Sequence, residues 1–307
     1  MLTHTHIIPD IHGQADKLNG LLATLGWQRS PAGWRGDGQL AFLGDFIDRG
    51  PDNRTVLNTV RDLMDRGHAV AVMGNHELNA IHYHHTNPIT GAPYRPHTAK
   101  NTKQHASFLA EFPLGAPETN EWIDWMMSLP LWQDRGEFRL IHACWSEPDM
   151  ARLQAVDGQL DRDVLVAAGE SEHPSNAALD VLLKGPETDL PPGYGFHDEG
   201  GHRREQVRLA WWRHEAKSWR EAVSSVPDTS ELPDGPMPPA LKARTYDPAA
   251  KPVFYGHYWM TGVFKIESHN ALCLDYSAGK SGPLIAYRFE PGDQRVHAER
   301  VIGHRLS

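Results

Sequence analysis

Carboxylate, imidazole and amide side chains recur in short fragments along this sequence. The fragments are Asp10-Ile11-His12-Gly13, Gly44-Asp45-Phe46-Ile47-Asp48-Arg49-Gly50, Gly74-Asn75-His76-Glu77, and two later histidines, His142 in IHAC and His257 in YGHY. Side chains of these three kinds together suit divalent transition ions such as Mn²⁺, Fe²⁺ and Zn²⁺. The fragments therefore predict a metal site.

The number of candidate ligands favours two metal ions over one. Six ligands from five segments are too many for one catalytic metal with an open position, and they suit two ions that share a bridging carboxylate. Two ions about 3.5–4 Å apart can clamp the attacking and leaving oxygens of an in-line displacement, and can lower the pKa of a bound water to roughly 7. A neighbouring arginine would neutralise the charge of a phosphate. This chemistry is hydrolysis of a phosphate ester.

The predicted elements place these residues at the ends of strands. Apolar runs over 5–11, 40–46 and 68–75 predict buried strands, and apolar residues at helical spacing predict helices over 14–25 and 53–66. This β-α-β-α-β order predicts a largely parallel sheet. Ligand sites of such sheets lie beyond the carboxyl ends of the strands, where the polar fragments stand.

The rest of the chain has a different pattern. We predict a loop over 86–105, a helix over 119–128 and a strand over 137–143. Helical patterns follow over 160–169, 175–184 and 202–222, separated by Pro- and Gly-rich stretches. We interpret 146–250 as an inserted helical cap within a single domain of 307 residues. The last predicted elements are strands over 252–258, 271–277, 282–290 and 295–302.

Composition excludes several classes of protein. A 40% hydrophobic share with 22% charged residues is typical of a globular chain. The net charge of −9 argues against a generic nucleic-acid binder. Cys144 and Cys273 are too few for a disulfide framework, and no apolar run reaches the length of a membrane span. We expect a cytoplasmic protein without a membrane or nucleic-acid partner.

In combination, DxHG, GDxxDRG, GNHE and the late GH resemble the metallophosphoesterase (calcineurin-like) superfamily. Among its branches they most resemble the phosphoprotein-phosphatase group, with its bacterial members and the related diadenosine tetraphosphatases. The resemblance is close over 5–80 and looser over 137–146 and 253–288, whereas 146–250 departs from it. It implies an α/β fold, a calcineurin-like αββα β-sandwich, here with the inserted cap.

The resemblance also implies a role for each fragment. It implies a first ion held by Asp10 and His12, a bridging Asp45, and a second ion held by Asn75, His142 and His257. His76 would protonate the leaving oxygen and Asp48 would hold its ring. Arg49 would grip the phosphate, with the Asn75 amide nearby. The cofactor would be two divalent metal ions, Mn²⁺ in first place and Fe or Zn as alternatives.

Some residues have competing interpretations. Asp10 and Asn75 would also serve as caps of the helices that follow them. The family's further phosphate-binding arginine has three candidates, Arg203, Arg204 and Arg208. We expect Trp211, Trp212 and Trp219 to form the core of the cap rather than a stacking surface, and Asp275 stands as a candidate near the site.

Three functions follow. The first is hydrolysis of phosphate monoesters by direct attack of a metal-bound hydroxide, with a phosphoprotein (Ser/Thr, or Tyr) or a small phosphoester as substrate. The alternative is a diadenosine tetraphosphate hydrolase, which needs a longer pocket with extra cations and a surface for stacking bases. The third, of another class, is a metal-stabilised binding protein without catalysis, against which the intact Asp48, Arg49 and His76 argue.

Overall fold

Short strands build the framework of the chain in a computed structural model that describes residues 4–31, 33–198 and 200–303. The described strands are β1 Thr5–Ile8, β2 Gln28–Ser30, β3 Gly33–Arg35, β4 Gln39–Phe42, β5 Ala69–Ala71, β6 Trp132–Asp134, β7 Arg139–Ile141, β8 Glu187–Asp189, β9 Phe196–His197, β10 Arg203–Arg204, β11 Gln206–Leu209, β12 Val223–Ser224, β13 Val253–Tyr255, β14 Ala271–Cys273, β15 Ala286–Phe289 and β16 Val301–Ile302.

Helices connect and cover these strands. The described helices are α1 Ala15–Thr24, α2 Asn53–Asp65, α3 Asn75–His84, α4 Ala99–Gln104, α5 Ala106–Glu111, α6 Pro117–Met127, α7 Glu147–Leu153, α8 Arg162–Ala167, α9 Asn176–Lys184, α10 Trp219–Ala222 and α11 Pro239–Lys242. Across the three described ranges, no helix has both the length and the apolar character that crossing a bilayer requires.

Two sheets form a sandwich. The first has the strand order β16-β15-β1-β4-β5, and the second has the order β14-β13-β7-β6. Strands β1, β4 and β5 run parallel, as predicted, and so do β7, β13 and β14. Parallel strands deliver their carboxyl ends to the same edge of a sheet.

The alternation of side chains along each strand explains why two sheets pack face to face with helices on their outer sides, which makes four layers. In β1, Ile7 packs between the sheets with Leu140 and Phe254 of the second sheet, whereas Ile8 faces the helices. The opposite faces of adjacent strand residues follow from the two-residue period of a strand. The predicted αββα sandwich is confirmed.

The segment after β7 departs from the prediction in part. Helices α8 and α9 lie within the predicted ranges, but the helix predicted over 202–222 is wrong. Most of that range forms β10, β11 and a loop, and β11 pairs with β8 and β12. In β11 the buried Val207 and Leu209 alternate with the more exposed Gln206 and Arg208, which is a strand pattern. In the sequence, the surrounding residues that favour helices obscure this pattern.

The predictions for the three tryptophans and for the loop over 86–105 are also confirmed only in part. Trp211, Trp212 and Trp219 are buried as predicted, although only Trp219 lies in a helix. The loop predicted over 86–105 contains α4 near its end, capped by the Thr98 side chain. That 146–250 acts as an inserted cap stays a prediction.

Candidate active site

The candidate ligands converge at the carboxyl ends of the parallel strands of both sheets. They follow their strands in this way: Asp10 and His12 after β1, Asp45 after β4, Asn75 and His76 after β5, His142 after β7 and His257 after β13. Backbone bonds hold these turns together, because the N–H groups of Ile11 and His12 both donate to the Asp45 carbonyl. Fragments far apart in sequence thereby share one small volume.

Asp45 lies at the centre of this volume. Its Oδ2 is 3.5 Å from Nε2 of His12 and 3.5 Å from Nε2 of His142. Two clusters of candidate ligand atoms contain it, one with His12 and His76 and the other with Asp10 and His142. A carboxylate common to two clusters has the position that a bridging ligand requires.

The tautomers of two histidines fit a cation. Nδ1 of His12 donates to the Ile47 carbonyl at 2.9 Å, and Nδ1 of His142 donates to the Leu43 carbonyl at 2.8 Å. Each Nε2 therefore presents a lone pair towards the Asp45 carboxylate. Lone pair and carboxylate repel each other unless a positive charge lies between them. Among the described residues, the buried Nε2 of His12 has no hydrogen-bond partner at all.

Asn75 and Asp10 are not simple helix caps. The N-cap of α3 is Gly74, and Oδ1 of Asn75 lies 2.9 Å from Nε2 of His142 and 2.7 Å from Nδ1 of His257. The N-cap of α1 is Gln14, whereas the Asp10 carboxylate accepts the His257 backbone N–H at 3.1 and 3.0 Å. Both side chains face the ligand cluster instead.

Buried carboxylates crowd the site. Burial and the nearby charges of Asp275 and Asp45 raise the pKa of Asp10 well above its usual range. Burial also raises the pKa of Asp275 to about 6. Burial works in the same direction on Asp45, but the imidazoles of His142, His76 and His12 outweigh it and lower its pKa. Bound cations would relieve this repulsion.

The ligand histidines are held in their neutral form. Burial lowers the pKa of His12 to about 3 and lowers the pKa values of His142 and His257. A neutral imidazole is the form that binds a metal ion.

His76 is held in a different way. Its backbone N–H donates to Oδ1 of Asp45 at 2.8 Å, and its Nδ1 lies 2.5 Å from Oδ2 of Asp48. Burial opposes a charge on this ring, but the carboxylates of Asp45 and Asp48 raise the pKa of His76 overall. The ring is thus oriented by a buried carboxylate and can carry a proton, as a general acid requires.

The other oxygen of Asp48 binds a histidine that we did not predict. Nδ1 of His105 lies 2.8 Å from Oδ1 of Asp48, and its ring stacks on Phe108. Asp48 therefore joins two imidazoles. His105 follows α4 in a polar segment without a motif, so only the abundance of histidine hinted at it.

Arg49 lies at the mouth of the site. Its guanidinium carbon is 4.1 Å from the ring centre of Trp259, and Nζ of Lys280 is 4.6 Å from the same ring. Asp275, the candidate near the site, accepts the backbone N–H of Trp259 at 2.8 Å. Asp275 thereby positions an aromatic ring that lies close to two cations, which sequence reasoning did not anticipate.

The turns at the site have unusual backbone conformations. Six non-glycine residues there have positive φ: His12, Asp45, Asp48, Arg49, His257 and Trp259. Such conformations cost free energy and cluster at functional sites. The turns are also tightly packed, because a Cβ on Gly74 would lie 2.3 Å from Oδ1 of Asp45.

A glutamate that we did not predict ties two of these turns together. The Glu77 carboxylate accepts the backbone N–H groups of Asp45, Phe46 and Gly74 at 2.8, 2.8 and 2.9 Å. Its place in GNHE was visible in the sequence, but its role depends on the distance between two turns.

One of the three candidate arginines lies nearest the site. Arg208 is 6.0 Å from the Tyr258 ring centre, and its charge contributes to the lowered pKa of His257. Its buried Nε has no hydrogen-bond partner within the described residues. All three have acidic partners: Arg208 pairs with Glu187 at 3.2 Å, Arg204 pairs with Asp198 at 2.7 Å, and Arg203 lies 3.7 Å from Glu205.

Comparison with known proteins identifies relatives. A family model described as calcineurin-like phosphoesterase matches residues 4–258. A symmetrical bis(5'-nucleosyl)-tetraphosphatase from Hamiltonella defensa is 32% identical over 137 residues, 44% of this chain and 42% of that protein. One from Ralstonia nicotianae is 29% identical over 163 residues, 52% of this chain and 48% of that protein. These matches thus span about half the length of either curated relative.

A solved structure shares the fold. A protein serine/threonine phosphatase from Saccharomyces cerevisiae superposes with a TM-score of 0.51 over 100% of this chain and 81% of its own, at 13% identity. At that identity the likeness concerns the fold alone.

Proposed function

The chain belongs to the calcineurin-like phosphoesterase family, a family of metal-dependent phosphoester hydrolases with a dinuclear centre, and from that premise we propose that it cleaves a dinucleoside polyphosphate. The sequence alone favoured a phosphate monoester, with this substrate as the alternative. The observation that carries the alternative is a large cleft beside Arg49. The names of the curated relatives support it too.

The cleft extends from the site and has a volume of about 1090 Å³. Its walls include Trp259, five cationic residues (Arg49, Arg213, Arg220, Lys265 and Lys280) and two carboxylates (Asp198 and Glu267). Arg213 pairs with Glu267 at 2.7 Å, so the net positive charge lies mainly on the other cations. A chain of phosphates matches the cations, and a nucleobase can stack on an aromatic ring or on an arginine. A phosphoserine side chain would occupy only a small part of this volume.

We propose that Asp10, His12, Asp45, Asn75, His142 and His257 hold two divalent ions. Their donors are nitrogen and oxygen without a thiolate, which suits Mn²⁺, our first choice, and also Fe and Zn. When bound, such ions neutralise substrate phosphate and lower the pKa of water. The carbonyl bonds of His12 and His142 fix the ring orientations that ligands need.

The remaining roles belong to polar groups around this centre. His76, oriented by Asp48, donates its Nε2 proton to the leaving oxygen. Arg49 binds a phosphate at the mouth of the site, and Arg208 is our choice for the second phosphate-binding arginine because of its partnerless Nε and its proximity to His257. A binding protein without catalysis would have no use for the Asp48–His76 pair.

A substrate panel tests the proposal. Metal-stripped chain is supplied with Mn²⁺, Fe²⁺, Zn²⁺ or Mg²⁺ and assayed on diadenosine tetraphosphate, a phosphopeptide and p-nitrophenyl phosphate. We expect the highest kcat/KM on the dinucleotide, with two molecules of adenosine diphosphate as products. Asp45→Asn should abolish turnover, whereas Asp16→Asn, an exposed change on α1, should not. A higher kcat/KM on the phosphopeptide would contradict the choice of substrate.

A further inference from the structure

A second cleft, which also has Arg49 in its wall, opens between α3 and α4. We call it the α3–α4 cleft. It has a volume of about 320 Å³, and its walls include His76 and four cationic residues: Arg49, Arg95, Lys100 and Lys184. Asp48 is the only carboxylate among its described lining residues, and both oxygens of Asp48 are engaged by His76 and His105. The cleft therefore presents positive charge next to the proposed general acid.

Arg95 is held in this cleft by neutral groups. Its guanidinium donates to Oδ1 of Asn79 at 2.7 Å and to Oε1 of Gln104 at 2.8 Å. Within the described part of the chain, no carboxylate lies at ion-pair distance from it. Two amide oxygens thus fix the half-buried guanidinium without neutralising it. A positioned and uncompensated arginine is suited to bind a phosphate.

Two lysines add to the positive charge. Lys184 pairs with Asp180 at 2.5 Å, so its charge is partly compensated. Lys100 is exposed at the start of α4, and no ion pair is found for it among the described residues. Apart from that of Arg49, the uncompensated charge of the cleft is therefore concentrated on Arg95 and Lys100, from the segment between α3 and α5.

We propose that the α3–α4 cleft binds a leaving group that itself carries phosphate, such as a nucleoside diphosphate. The inference rests on the proposed function, in which His76 protonates the leaving oxygen. In that reaction a P–O bond forms to the oxygen of water and the bridging P–O bond breaks. Its electron pair stays on the leaving oxygen, which takes the His76 proton, and a proton from the water restores His76. The leaving group must then lie on the side of His76, where the cations are.

This placement would select among substrates. The alcohol released from a phosphoserine, or nitrophenol, carries no phosphate for Arg95 to bind. A released nucleoside diphosphate offers charged oxygens both at the reacting end and at the next phosphate. Cations aimed at charge that develops on a leaving group stabilise the transition state.

A selectivity measurement tests the inference. For Arg95→Gln we expect the ratio of kcat/KM on diadenosine tetraphosphate to kcat/KM on p-nitrophenyl phosphate to fall about tenfold, because one charge-assisted contact is lost. Lys100→Gln, an exposed change that should not affect folding, is expected to lower the same ratio about threefold. Arg135→Gln, an exposed arginine outside both clefts, is the control. An unchanged ratio in both cleft variants would overturn the inference.

A binding measurement separates this inference from the proposed function. Adenosine diphosphate is titrated calorimetrically into the full chain without metal, where no turnover is needed. We expect Arg95→Gln to raise Kd about tenfold and Arg135→Gln to leave it unchanged. Equal Kd values in wild type and Arg95→Gln would refute binding of the leaving group in the α3–α4 cleft, whatever the panel of substrates shows. An Arg95-dependent Kd in a chain that hydrolyses none of the panel would support the cleft and refute the proposed function.

Discussion

At the scale of single residues, the roles of His76 and its partners can be separated by substitution. His76→Asn removes the ring whose Nδ1 contacts Asp48, but it changes none of the six proposed metal ligands. We expect kcat on p-nitrophenyl phosphate to fall about 10²–10⁴-fold, and the metal content measured by plasma mass spectrometry to stay unchanged. A variant with the wild-type rate would exclude His76 as the acid.

His105 is expected to act through Asp48. His105→Phe keeps the stacking on Phe108 but loses the contact with the Asp48 carboxylate. We expect kcat to fall roughly tenfold, since a hydrogen bond to a charged group is lost, with little change in KM. His105→Asn places an amide N–H near the position of Nδ1 and should restore part of kcat. If kcat decreases by the same factor in the Phe and Asn variants, or if only KM changes, His105 does not position Asp48.

At the scale of elements, Glu77 joins the turn after β4 to the start of α3. Its carboxylate accepts three backbone N–H groups, and a glutamine would turn a donor towards at least one of them. We expect Glu77→Gln to lower the free energy of unfolding by about 1–3 kcal/mol, measured by urea denaturation. Glu215→Gln, an exposed change, is the matched control and should stay within about 0.5 kcal/mol of wild type. Equal stabilities of the two variants would contradict the role of Glu77 as a clamp.

The accuracy of the sequence predictions also differs between elements. The turns after β1, β4 and β5 were predictable because strand, glycine and polar ligand are neighbours in the sequence. His105 and Arg95 were not, because they reach the site from a polar segment whose position depends on the packing of α4 and α5. The strand β11 was missed because its alternation of Val207 and Leu209 is short and lies among residues that favour helices.

For the whole molecule, stability should depend on metal. Asp10, Asp45 and Asp275 are at most 1% exposed and repel one another. Ions that bind only the folded chain stabilise it by about 2.7 kcal/mol per site when their concentration is 100 times Kd. We expect chelation to lower Tm and Mn²⁺ to restore it, as followed by calorimetry. Asp45→Asn should respond less to Mn²⁺. A Tm that is the same with and without chelator would count against both ions.

Acid should destabilise the fold through histidines away from the metal site. Burial lowers the pKa of His6 on β1 to about 4. Burial, together with the charges of Lys184, His85 and Arg95, lowers the pKa of His82 on α3 to about 4 as well, against the bond to the Leu165 carbonyl. Between pH 6.5 and about 4 the unfolded chain therefore binds more protons than the folded chain does. This proton binding lowers the free energy of the unfolded chain relative to that of the folded chain. The contribution of these histidines to stability is therefore fully present above pH 6.5 and is lost as the pH decreases towards 4.

His82 allows this dependence to be isolated. His82→Gln removes one titrating group, so the slope of unfolding free energy against pH in this window should decrease by up to about 1.4 kcal/mol per pH unit. Urea denaturation of metal-free wild type and variant at several pH values measures both slopes, with the exposed His202→Gln as the matched control. A His82→Gln slope equal to that of wild type would mean that the unfolded chain gains no proton at this position. The acid sensitivity would then have to come from His6 and the other buried histidines.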